Sequence, residues 1–131
     1  EESIPLYRSL HRAINQGLIS SAHDLSDGGL AVAFFESALG GNLGGCLDLE
    51  KIITPLAERE PQRLLFSESP SRFLVSASSK NSEALLSCFS GLPIAKLGIT
   101  TEEPVIKITA GKKELAVMPL EEAEKKWKRE W

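Results

Sequence analysis

The sequence lacks several things that would assign it a class outright. No apolar stretch approaches the roughly 20 residues a bilayer-spanning helix needs, so no membrane partner is expected. No secretory signal pattern is visible. Cysteine is scarce: Cys46 and Cys88 lie far apart, with no CxxC pair and no adjacent histidine. They form neither a disulfide framework nor a zinc site on paper, and suit a reducing, cytoplasmic setting. Positive charge is not in excess either. Fifteen Lys and Arg stand against 18 Asp and Glu, a net charge of −3, which argues against the basic footprint of a nucleic-acid surface. The late basic residues Lys112–Lys113 and Lys125–Arg129 are interleaved with glutamates. There is no GxGxxG, no P-loop, no Ser–His–Asp order and no metal-ligand cluster, so the chain shows no complete catalytic set and no metal site.

What is present reads as one domain over residues 1–131. A chain that opens on Glu1 rather than methionine is expected to be part of something longer. Ser3, Ile4 and Pro5 predict a helix start, and Leu6, Leu10, Ile14 and Leu18 predict its apolar face, with Gly17 as the stop. A strand is expected over 19–25. A second helix runs from the double glycine to about Leu39, ended by Gly40–Gly41, and a short strand follows at Cys46, Leu47 and Leu49. Thr54–Pro55 opens a brief helical or irregular piece. LLF at 64–66 and RFLVSAS at 72–78 read as two strands around the turn SESPS, followed by a helix over 81–89. IAKLGIT is a further strand, and VIKIT and ELAVM form a hairpin with Ile106, Ile108, Leu115 and Val117 in period-2 alternation. Pro119 opens a last helix with Glu121–Lys125, Glu122–Lys126 and Glu124–Lys128 pairs and a stripe of Leu120, Ala123, Trp127 and Trp131. The expected fold class is α+β: a mixed sheet with helices packed on its faces.

Two stretches carry the chemistry. In AHDLSDGGLAVAFFESALGG, residues 22–41, Ser26 or Asp27 can cap the helix that follows, while Gly28 and Gly29 bend the chain and leave amides uncovered. Such a terminus caps itself or cradles a phosphate, and the negative charge of Asp27 opposes the second. Asp24 and Asp27 are hard-oxygen donors for a divalent cation, with no third ligand in sequence. His23 is an acid–base candidate or a structural residue. Leu30, Val32, Ala33, Phe34, Phe35, Ala38 and Leu39 make the helix apolar on more than one side. In FSESPSR, residues 66–72, Ser67, Glu68, Ser69 and Arg72 either contact a phosphate or sugar, or form a plain turn in which Glu68 pairs with Arg72.

Read together, AHDLSDGGLAVAFFESALGGNLGGCLDL and LLFSESPSRFLVS, about forty residues apart, resemble the C-terminal domain of phosphoribosylformylglycinamidine synthase, synthetase subunit II. The resemblance covers residues 4 to 120. Sister families share the fold: aminoimidazole ribonucleotide synthetase, selenophosphate synthetase, thiamine-monophosphate kinase and a hydrogenase-maturation protein. They carry TGGG or PTRGG-like turns where this chain has LSDGG. The resemblance implies an AIR synthase C-terminal-like, partly ferredoxin-like fold. It implies that the whole enzyme is an ATP- and magnesium-dependent carbon–nitrogen ligase of purine biosynthesis. Formylglycinamide ribonucleotide is phosphorylated on an acyl oxygen, which ammonia from a glutaminase partner then displaces. It also implies that this chain is the second covering half, working beside the remaining domains of the synthetase. The nucleotide, the magnesium and the catalytic histidine then belong to nucleotide-binding halves outside this sequence, so no cofactor is expected here and His23 is not that histidine. The turn matching the family's ESQ-like substrate contact reads Glu68–Ser69–Pro70, where proline removes an amide side chain and a backbone donor. Ser67, Glu68, Ser69 and Arg72 are thus expected to be remnant ligand contacts. Asp24, Ser26, Asp27, Gly28 and Gly29 build the turn. The rival readings are a stand-alone binding module and the C-terminal domain of a sister enzyme.

Overall fold

The computed structural model describes residues 3–52 and 60–129. The expected piece at Thr54–Pro55, and Trp131 of the expected last stripe, lie outside the described residues. Helix α1 spans Ile4–Asn15 with proline in its first turn. It closes at Gly17, whose φ is 68°. The Gly17 amide bonds the Ile14 carbonyl at 2.9 Å and the Leu18 amide the Ala13 carbonyl at 3.0 Å, a Schellman ending that satisfies two otherwise free carbonyls. The four-residue spacing misjudges the buried face: Leu10 is buried but Ile14 is 48% exposed. Each four-residue step overshoots a turn by about 40°, so the stripe drifts and Ser9 and Ala13 take the inward positions.

Strand β1, Ser21–Asp24, pairs antiparallel with β3, Phe73–Ser76. Between them come helix α2 (Gly29–Gly41), strand β2 (Gly44–Asp48) and helix α3 (Pro61–Phe66). The LLF segment, expected as a strand, is therefore the end of a helix. Pro61 fixes the helical φ at its first position, and a three-residue apolar run has no periodicity to tell strand from helix. Helix α2 runs through both glycines expected to stop it. Asn42, left-handed with φ 49°, is the residue that turns the chain, while the Leu43 amide bonds the Ala38 carbonyl at 3.1 Å.

Helix α4 spans Ser82–Cys88. Strands β4 (Gly98–Thr101), β5 (Val105–Ala110) and β6 (Lys113–Pro119) follow, then helix α5 (Leu120–Arg129). The four-stranded sheet has the order β4–β2–β5–β6, with β2 and β5 parallel and the other pairs antiparallel. It is mixed, as expected; β1 and β3 form a separate two-stranded ribbon rather than part of it. A bulge between Ile108 and Thr109 breaks the expected alternation of the hairpin. The extra residue turns Leu115 inward against the core while Val117 ends 48% exposed on the opposite face.

Two cores result. The larger joins Leu30, Ala33, Phe34 and Ala38 of α2 to Leu47, Leu49, Leu64, Ile106, Ile108 and Leu120. The smaller joins Leu10 and Ala13 of α1 to Leu85 and Phe89. The ribbon separates them: Phe73 and Val75 pack on the smaller, Leu74 on the larger. Helix α5 covers the far side of α2, where the Trp127 and Phe35 rings lie 6.1 Å apart. Its three expected i,i+4 ion pairs all form, at 2.5–3.1 Å. No helix of the described residues is long and apolar enough to cross a membrane.

Candidate functional site

The two sequence motifs meet at the mouth of α2. Ser26 through Gly29 make a tight turn closed by the Gly29 amide on the Ser26 carbonyl at 3.0 Å. Gly28 adopts φ 79° and ψ 1°, the values of the third residue in a type II turn, which favour glycine. Gly29 is left-handed too, with φ 63°. Neither Ser26 nor Asp27 caps the helix through its side chain, contrary to expectation. The cap comes from the second motif: Glu68 accepts a hydrogen bond from the Gly28 amide at 2.9 Å. A backbone-closed turn aims its free amide across the strand ends, where the 67–72 loop supplies a carboxylate at the positive end of the helix. Glu68→Ala is expected to lower stability by about 1 kcal/mol, with Glu68→Gln, which keeps an acceptor, losing less. Chemical denaturation of the three proteins reads the difference.

Because Glu68 is spent on Gly28, it does not serve the turn as a partner for Arg72. The Arg72 Nη2 donates instead to the Ser67 carbonyl. Burial pushes the guanidinium below its ordinary pKa. Its Nε is a buried side-chain nitrogen with no partner among the described residues. An orphaned donor of this kind costs stability unless something outside the chain satisfies it. The hydroxyls of Ser67 and Ser69 pair with each other at 3.0 Å.

Asp24, Ser26, Glu68 and Arg72 share the wall of an open groove of about 700 Å³ with Tyr7 and Phe73. The structure therefore brings four of the nine expected residues to one surface. Asp27, Gly28, Gly29, Ser67 and Ser69 lie outside that wall, with Asp27 exposed at the turn. The Leu25 amide bonds the Arg72 carbonyl at 2.9 Å and ties the two motifs together beneath it. Tyr7 and Ser71 were not foreseen. Ser71 is left-handed with φ 62°, and its hydroxyl bonds both the Tyr7 phenol and the Ser3 hydroxyl at 3.0 Å. Pro70 just before it was the one available signal of a forced turn.

His23 stands beside the groove, outside its wall. Nδ1 lies 2.6 Å from the Asp24 carbonyl and Nε2 2.6 Å from a Glu36 carboxylate oxygen. Both partners are acceptors, an arrangement that favours the doubly protonated ring. Its pKa is raised, first by the Asp24 carbonyl and then by Glu36. A raised folded pKa adds stability that is complete below the unfolded value near about 6.5 and is lost as pH rises through the folded value. The gap in unfolding midpoint between the wild type and His23→Gln should therefore be wider at mildly acidic than at alkaline pH. Among the described residues no three His, Cys, Asp or Glu side chains converge on a point.

Residues 4–111 match the family described as AIR synthase related protein, C-terminal domain. The phosphoribosylformylglycinamidine synthase subunit PurL of Cutibacterium acnes is 39% identical over 119 residues, covering 89% of this chain and 14% of that one. The chain thus spans about a seventh of that curated relative. Thermotoga maritima PurL complexed with FGAR superposes with a TM-score of 0.82 at 26% identity, over 91% of this chain and 20% of that one. The same protein complexed with ATP gives 0.81 at 26%, over 89% and 20%. The PurLQS structure from Thermotoga maritima gives 0.81 at 25%, over 90% and 21%.

Proposed function

Since the chain belongs to the family of AIR synthase related protein C-terminal domains, we propose that it is the C-terminal domain of a phosphoribosylformylglycinamidine synthase. The observation that carries this is the 39% identity to a PurL subunit across 89% of the chain. The whole enzyme, an ATP-dependent carbon–nitrogen ligase of the cytoplasm, converts formylglycinamide ribonucleotide to the amidine. ATP phosphorylates the amide oxygen, ammonia adds to the activated carbon, and phosphate leaves with that oxygen. Ammonia comes from a glutaminase subunit or domain.

This chain's own part is architectural, with a remnant of a ligand pocket. Asp24 and Asp27 are both exposed and have no third ligand beside them among the described residues, so these residues do not fit a magnesium site. ATP and magnesium belong to other halves of the synthetase. The remnant is the groove, whose turn has been rebuilt: Glu68 is taken up by the Gly28 amide, and Pro70 stands where the family's first covering half has an amide. Arg72 is the cationic residue that remains on the groove wall; its Nε is buried and has no partner among the described residues. Ser67 and Ser69 are the accompanying remnant contacts.

The test is turnover by the parent chain supplied with ATP, magnesium, ammonium salt and formylglycinamide ribonucleotide. One ADP should be released per amidine formed, and only with the ribonucleotide present. ATP turnover dependent on thiamine monophosphate or selenide instead would move the chain to a sister family. In the same protein Arg72→Ala should leave kcat unchanged, because the reacting centre lies elsewhere.

A further inference from the structure

The four-stranded sheet has one face covered and one bare. On the covered face Phe34 of α2 sits so tightly over Gly45 that an added Cβ would come within 2.9 Å of its ring, and Leu47, Ile106 and Ile108 share that side. Side chains alternate along a strand, so Cys46, Lys107 and Val117 point the other way. The register aligns them in one row across all four strands: Ile99 opposite Cys46, Cys46 beside Lys107, Lys107 opposite Val117. Ile99 is 62% exposed and Val117 48%. Lys107 lies among them, paired with Glu114 at 3.3 Å. Ile99, Lys107 and Val117 are exposed and Cys46 between them is half-buried.

We propose that this outer face, centred on Ile99, Cys46 and Val117, is the surface on which another domain of the same polypeptide packs. The inference rests on reading this chain as one domain of a longer synthetase, and it names the surface that reading leaves open. Two observations select a tethered domain over a second copy or a separate subunit. The chain covers 14% of a curated relative's length, so most of such a protein is available to cover the face. The row is also small and mixed, with two strongly exposed apolar side chains flanking a lysine. Separate proteins need about 800 Å² from each partner to associate stably. A domain held on the same chain has a high effective concentration and manages with a modest, partly polar patch.

The experiment is a thiol-labelling pulse with iodoacetamide on the full-length parent chain, kept reduced, carrying Ile99→Cys or Val117→Cys, with Lys112→Cys at the β5–β6 turn as the exposed reference. Both row positions should label at least about tenfold more slowly than the reference, as for thiols reached only by domain separation. Labelling as fast as the reference in a multi-domain protein overturns the proposal. So does protection lost on dilution, which would mean a second copy, or protection that appears only when a separate subunit is added. Amidation of formylglycinamide ribonucleotide, measured on the same proteins, reports on the functional reading separately. A protected row in a protein without that activity keeps the interface and removes the function.

Discussion

Gly29→Val is expected to leave little folded protein. Gly29 is buried with φ 63°, a conformation that costs a side-chain-bearing residue about 1–2 kcal/mol, more for a β-branched one. An added Cβ would also lie 2.7 Å from the Leu65 carbonyl oxygen and 2.8 Å from that of Ser67. Those are backbone atoms at the end of α3 and cannot swing aside as a flexible side chain would. Strain and overlap together should remove about 3–5 kcal/mol, much of the stability of an ordinary domain. Gly40, in the same helix, has nothing within 4 Å of an added Cβ. Gly40→Ala should be neutral or stabilise by up to about 1 kcal/mol. Thermal unfolding of the two variants, side by side, separates a turn that requires glycine from a helix that merely contains it. A Gly29→Val protein that melts with the wild type would sink the argument.

Phe34→Ala should come second, with a loss of about 3–5 kcal/mol. The ring is 7% exposed and stands at the centre of the larger core. Its fit depends on Gly45, the β2 position that leaves room for it. The pairing is testable by a double-mutant cycle. Gly45→Ala alone should destabilise by pressing on the ring, and should cost less when position 34 is already alanine. Equal costs in both backgrounds would mean that the Ile99 carbonyl, 3.2 Å from the same added Cβ, sets the limit instead.

The sequence announced these features unevenly. Helix α2 and its glycine turn were legible because a double glycine ahead of a long apolar run has few other uses. The hairpin and the ion pairs of α5 were legible because both follow short fixed spacings. The strand expected at LLF is absent because three apolar residues carry no period and Pro61 opens a helix that runs through them. Val117 was misplaced because a bulge shifts parity by one residue without leaving any mark in composition. The site was half legible. Asp24, Ser26, Glu68 and Arg72 were named and do meet, but local caps were expected where a carboxylate forty positions away does the capping. Tyr7 could not be foreseen, since it joins the groove only after α1 folds back along the ribbon.

The division of the interior by the β1–β3 ribbon has a consequence for motion. The smaller cluster holds four buried residues against eleven in the larger, so the α1–α4 layer should open as a unit of its own before the sheet does. Amide hydrogens in the middle of α1 and α4 are then expected to exchange with solvent faster than those of β2 and β5, a ranking that hydrogen exchange can check directly. The groove has walls on both sides of that seam: Tyr7 belongs to the layer that lifts, Arg72 to the strand end that stays. Whatever occupies it would act as a staple, slowing exchange in α1 by a factor that grows with its concentration relative to its Kd.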